Sequence, residues 1–115
     1  MVIVLICRFV KPTEEPKFLE RYNEDQRKNV GIPDFICETL TKVNDSHDLP
    51  EFMRSLHLVR ENCLNYVNLA YWTSAEAFAQ RFTPKAPFDE ETEVSPRLRV
   101  VLEIQQTTCD IKAAP

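Results

Sequence analysis

Residues 2–10, VIVLICRFV, are apolar at every position but Arg8, so no period of two separates an inward side from an outward one. Such a run of β-branched and aromatic residues predicts a strand covered on both faces. The spacing changes near residue 13. Thr13 is an N-cap candidate, Glu14 and Glu15 suit the positive end of a helix dipole, Pro16 is tolerated in a first turn, and Phe18, Leu19 and Tyr22 form an apolar stripe. A helix to about Val30 follows, closed by Gly31 in a left-handed conformation and kept from resuming by Pro33. Residues 35–43, FICETLTKV, read as a second strand, followed by a polar loop at 44–50. In residues 51–60, EFMRSLHLVR, the spacing of Phe52, Leu56 and Val59 predicts a short helix, an excursion between two strands.

Alternation is clearest in residues 63–72, CLNYVNLAYW. A period of two puts Leu64, Tyr66, Asn68, Ala70 and Trp72 on one face and Asn65, Val67, Leu69 and Tyr71 on the other. Thr73 and Glu76 then form a T-x-x-E capping box, and Ala75, Phe78 and Phe82 line one face of the helix that it opens. Residues 83–96 contain three prolines and the acidic residues Asp89, Glu90, Glu91 and Glu93, which predicts a solvated loop. In the closing strand, RLRVVLEIQQ at 97–106, Leu98, Val100, Leu102 and Ile104 alternate with Arg97, Arg99 and Val101, giving one core face and one mixed face.

The order strand, helix, strand, strand, helix, strand is the ferredoxin-like βαββαβ pattern of an α+β domain, with one antiparallel sheet and both helices on one side. The expectation is that the face carrying Tyr66, Asn68, Trp72 and Arg99 has no partner within the chain. Two sheets stacked face to face in a homodimer would cover it, making a dimeric α/β barrel around a semi-polar cavity.

Composition narrows what such a barrel can do. The 115 residues fit a single domain, 1–115, and the apolar share of 43% with 28% charged residues is that of a globular protein. A net charge of −4 with scattered Lys and Arg offers no footprint for nucleic acid. The longest apolar run is too short to span a bilayer, and Met1 leads into it without a basic segment, so no membrane partner and a cytoplasmic location are expected. Gly31 is the single glycine, which excludes phosphate-cradling loops and dinucleotide fingerprints. Cys7, Cys37, Cys63 and Cys109 form no C-x-x-C pair and read as buried reduced thiols, with no metal centre expected. Arg8 is expected to sit in an ion pair rather than to clamp a substrate.

The strand ending in Trp72, the S-x-E-A-F that opens the next helix (Ser74, Glu76, Ala77, Phe78) and the closing strand resemble the antibiotic biosynthesis monooxygenase family of dimeric α+β barrels. The resemblance covers most of the chain and is weakest at 44–62, where this sequence is longer than the family's usual hairpin. It implies a cofactor-independent monooxygenase acting with O₂ on a small aromatic or polyketide-like metabolite, with neither metal nor flavin. The family's Asn and Trp match Asn68 and Trp72 at N-x-x-x-W spacing, and a Tyr on the following helix is replaced here by Phe78. On this reading Asn68 donates to a developing oxyanion, Trp72 donates its indole N–H or stacks on the ring, and Arg99 or Arg97 supplies positive charge. Tyr66, Phe78, Arg97 and His57 are the expected substrate contacts, His57 as a general base if the 51–60 excursion folds over the cavity.

Two readings of different class stay open. The barrel is an oxygenase, or it is a non-catalytic dimer that binds a small molecule or supports assembly. A haem-degrading variant is disfavoured, because only Trp72 has a counterpart and no histidine follows His57 to serve as axial ligand.

Overall fold

The computed structural model describes residues 1–44, 48–53, 59–82 and 88–110. In chain order the elements are β1 (Val2–Val10), α1 (Glu15–Asn29), β2 (Phe35–Lys42), β3 (Leu64–Trp72), α2 (Ala75–Arg81) and β4 (Leu98–Glu103). The four strands form one antiparallel sheet in the order β2-β3-β1-β4, giving an α+β architecture compatible with a ferredoxin-like fold. The apolar character of β1, Arg8 apart, is explained by its central place. Val2, Val4, Ile6 and Val10 are buried on one face, and Cys7 and Phe9 on the other. Among the described residues, no helix is long and apolar enough to cross a membrane.

The caps differ from expectation in register. Thr13 lies inside a 3₁₀ turn, Pro12–Glu14, and α1 begins at Glu15 with no side-chain cap. Gly31 closes the helix at φ +88°, a backbone conformation that costs a β-carbon-bearing residue strain. At α2 the cap is Ser74, whose Oγ accepts from the Ala77 N–H at 3.1 Å, rather than Thr73. Thr73 is still held by the sheet, since its N–H donates to the Asp34 carbonyl and its hydroxyl to Asp34 Oδ1, both at 3.0 Å. That pairing ties Thr73 to the start of β2, and the cap falls one residue later.

A further expectation is overturned. The acidic stretch before β4 is not simply solvated. Thr92 and Glu93 are buried, the Val94 N–H donates to the Phe9 carbonyl, and Glu93 forms a bridge with Val10, so the segment docks onto the end of β1. Asp89 and Glu91 meet Arg21 of α1 at 2.6 and 3.0 Å. In the 51–60 excursion the structure has a 3₁₀ turn at Glu51–Met53 with Phe52 exposed, while residues 54–58 lie outside the described residues. All four cysteines are free thiols, but only Cys7 is buried; Cys37 and Cys109 are exposed.

Candidate functional site

Cross-strand pairing sorts the sheet into two faces. Val2, Val4, Ile6 and Arg8 of β1 stand opposite Trp72, Ala70, Asn68 and Tyr66 of β3, while Arg99 of β4 stands opposite Ile6 and Glu38 of β2 opposite Ala70. Tyr66, Asn68, Trp72 and Arg99 thus share one face, as the period of two requires. It is the face the helices cover, contrary to expectation. Only two residues separate β3 from α2, which folds back so that Phe78 and Phe82 meet the Trp72 ring edge-on at 5.8 and 5.9 Å. From α1, Phe18 packs on Tyr66 at 4.9 Å. The expected dimer-core cavity around these four residues is therefore replaced by a site between sheet and helices within one chain.

That site is a cleft of about 450 Å³. Its inner wall includes Ile6, Arg8, Tyr22, Glu38 and Phe78, and its mouth is edged by exposed Lys28, Arg81, Phe82 and Arg99. Arg97 also borders it. With Asp25 completing the charged groups, five cations face two carboxyl side chains, in a chain whose net charge is −4. The local sign is opposite to the global one, which is the electrostatic requirement for concentrating a small anion.

Behind the wall, a polar layer divides the helix-covered core into two apolar clusters. One holds Val2, Val4, Ile6, Ala70 and Trp72, the other Val10, Phe18 and Tyr66. The layer is built on Asn68, which is completely buried. Asn68 Nδ2 donates to Glu38 Oε1 at 2.7 Å, and Tyr22 Oη stands 3.0 Å from both Asn68 Oδ1 and Glu38 Oε2. One hydroxyl proton serves one of those two oxygens at a time. If Glu38 is protonated, its O–H donates to Tyr22, Tyr22 donates to Asn68 and Asn68 donates to Glu38, so every member of the ring is satisfied. Burial pushes the Glu38 carboxyl above its ordinary range, although the Asn68 and Tyr22 hydrogen bonds and the Arg8 charge oppose the shift. The Tyr22 hydroxyl is likewise pushed up, by burial first and then by Glu38.

The residues singled out in the sequence are thus dispersed over different roles. Arg99, Arg97 and Phe78 border the cleft. Asn68 does not line it, both ends of its amide being occupied by Glu38 and Tyr22. Trp72 is 1% exposed, and its indole N–H, buried among the Phe35, Phe78 and Phe82 rings, has no acceptor among the described residues. Tyr66 donates its hydroxyl to Glu15, which also accepts from Lys42 at 2.8 Å, so this tyrosine anchors the start of α1. Arg97 is committed to a two-pronged pair with buried Glu93, Nε to Oε1 and Nη2 to Oε2, each 2.8 Å. His57 lies outside the described residues.

Arg8 overturns its expected ion-pair role. Among the described residues its guanidinium makes neither an ion pair nor a hydrogen bond, and it rests instead over the Phe18 and Tyr22 rings at 5.8 and 5.5 Å. Glu38 and Tyr22 were not recognisable as site residues beforehand. Tyr22 reads as part of an apolar stripe. Glu38 carries one usable signal, a charge two residues before Leu40 on the same strand face, where a core-facing position is expected to be apolar.

No protein-family model matches the chain, and a comparison with curated proteins returns no match. Among the described residues, no cluster of three or more His, Cys, Asp or Glu side chains is arranged to hold a metal ion.

Proposed function

We propose that this chain is a homodimeric α+β barrel protein of ferredoxin-like topology, and that its cleft binds a small aromatic or polyketide-like metabolite and oxidises it with O₂. The observation that carries this reading is the cleft itself, in which the apolar Phe78, Phe82 and Ile6 lie beside the guanidinium groups of Arg8 and Arg99, neither of which has an ion pair among the described residues. An electron-rich phenol or anthrone needs both kinds of wall. Its ring system is held by apolar contact, and the anion formed on deprotonation is stabilised by fixed positive charge away from bulk water. That anion transfers an electron to O₂. The overall conversion turns a ring CH₂ and one O₂ into a carbonyl and one water. The absence of flavin or metal from the reaction is what the family resemblance implies.

The homodimer is supported by the other sheet face. Ile3, Leu5, Val67, Leu69 and Tyr71 are half-buried there, and Leu98, Val100 and Leu102 of β4 are 54%, 46% and 41% exposed. Register places these side chains together, opposite the helices. A second copy of the same face is the self-complementary cover for such a surface.

One observation favours the non-catalytic reading. Asn68 and Trp72, which the resemblance places against substrate, are sealed off from the cleft. The two readings separate when anthrone and a naphthohydroquinone are added to the protein in an oxygen electrode. Saturable O₂ uptake with quinone formation is expected of the oxygenase. Binding without uptake beyond the buffer rate makes the protein a binding module, and no binding of any aromatic compound removes the oxygenase reading and leaves only a dimer that supports assembly.

A further inference from the structure

A charge withdrawn from water normally has a partner supplied by the fold. Arg97 has Glu93, and Arg21 has Asp89 and Glu91. Arg8 has none among the described residues, although it stands on the central strand and borders the cleft. Its Nε is enclosed and unpaired. The edge left to meet the cleft is therefore the pair of terminal nitrogens. The guanidinium is also held in place, since the rings of Phe18 and Tyr22 lie beneath it.

The neighbourhood increases the demand for an anion. Arg97 follows the register of β4 to the position beside Arg8, and Arg99 opposes Ile6 one step further along. Arg97 is neutralised by Glu93, whereas Arg99 has no ion pair among the described residues. Burial, and then the adjacent Arg97, lower Arg8 to about 10, which leaves it fully charged at neutral pH. The same two causes, in the same order, lower Arg99. On the acidic side of the wall, the Glu38 carboxyl is turned toward Asn68 and Tyr22, with which it makes its hydrogen bonds. Among the described residues, the cleft thus holds a preorganised positive site with no carboxylate in direct contact with Arg8, Glu93 and Glu38 acting on it only at longer range.

We propose that the cleft selects a small aromatic carboxylate, its carboxylate held by the terminal nitrogens of Arg8, with Arg99 as second counter-charge and its ring against Phe78 and Phe82. A planar two-oxygen anion matches two parallel N–H donors of a guanidinium, the mode the chain already uses between Arg97 and Glu93. This inference rests on the reading of the cleft as a ligand site and adds the ionised group that the ligand must carry.

The test uses isothermal titration of the full chain at pH 7 with 2-naphthoate and with its neutral isostere 2-naphthamide. Naphthoate is expected to bind about tenfold or more tightly than the amide, since a charge-assisted bidentate pair outweighs neutral hydrogen bonds. Arg8→Met should remove that preference, naphthoate losing at least tenfold more affinity than naphthamide, and Arg8→Lys should restore part of it. Equal or tighter binding of the amide to the wild-type protein, or an unchanged preference in Arg8→Met, overturns the carboxylate assignment while the ligand site stands. Binding of neither compound overturns the assignment together with the site. The wild-type comparison needs no substitution, so a poorly folding Arg8 variant does not decide the matter.

Discussion

The hydroxyl of Tyr22, on α1, donates to Oδ1 of Asn68, on β3, across 3.0 Å in the buried interior. The two residues are 46 positions apart in the chain. Their contact fixes how the first helix sits over the centre of the sheet, and with it one wall of the cleft. Tyr22→Phe keeps the ring and removes the proton. It leaves the Asn68 carbonyl oxygen buried without a donor, which costs about 1–3 kcal/mol. Urea denaturation should show that loss at unchanged m-value. A variant as stable as the wild type would mean that Asn68 finds another donor.

Glu38→Gln should be neutral or stabilising at pH 7, because a glutamine amide occupies the ring as a protonated glutamic acid does, donating to Tyr22 and accepting from Asn68. The sign of the pH dependence follows from the raised folded-state pKa. The native state holds this proton more tightly than the unfolded chain, so stability falls as pH rises from about 4.3, the unfolded value, through the raised native one. The groups facing Glu38 include Tyr22 and Asp25 of α1, Arg8 of β1 and Asn68 of β3. Stability curves measured between pH 4 and 8 should therefore diverge in favour of Glu38→Gln as pH increases. Parallel curves would show that Glu38 is ionised in the native state across the range.

Arg97→Met should be among the most damaging single substitutions. The Glu93 carboxylate is fully enclosed, and Arg97 is its two-pronged partner. Removing one member of a buried pair costs roughly 3–5 kcal/mol, because the other charge is left uncompensated. Glu93→Gln retains an acceptor and should cost less. Thermal unfolding of the two variants gives the order, and a mild Arg97→Met would mean that solvent reaches Glu93.

Val100→Asp should convert the proposed dimer into a folded monomer. Val100 stands opposite Leu5 on the face away from the helices, so the change adds a charge to the interface without touching the cleft. Sedimentation equilibrium should give about twice 13.4 kDa for the wild type and a single mass for the variant, with unchanged far-ultraviolet circular dichroism. A wild-type monomer at micromolar concentration would end the barrel proposal.

Much of the architecture was legible along the chain. Apolar runs and alternation located all four strands, Gly31 marked the end of α1, and the period of two correctly put Asn68 and Trp72 on one face, because these are properties of a backbone read two or four residues at a time. Which face the helices would cover was not legible. Alternation distinguishes two sides of a strand, yet both sides of β3 carry apolar and polar residues, so the choice falls to the short β3–α2 connection and to Phe78 and Phe82 folding back on Trp72. The burial of Glu93 depended on Arg97 and on docking against β1, and the closed ring of Glu38, Tyr22 and Asn68 joins three separate elements. Arg8 is the plainest case. Its position on a core strand is written in residues 2–10, but its lack of a carboxylate ion pair among the described residues emerges only once the neighbouring strands and helices are in place, because a charge is compensated by what lies near it in space and not by what precedes it in the chain.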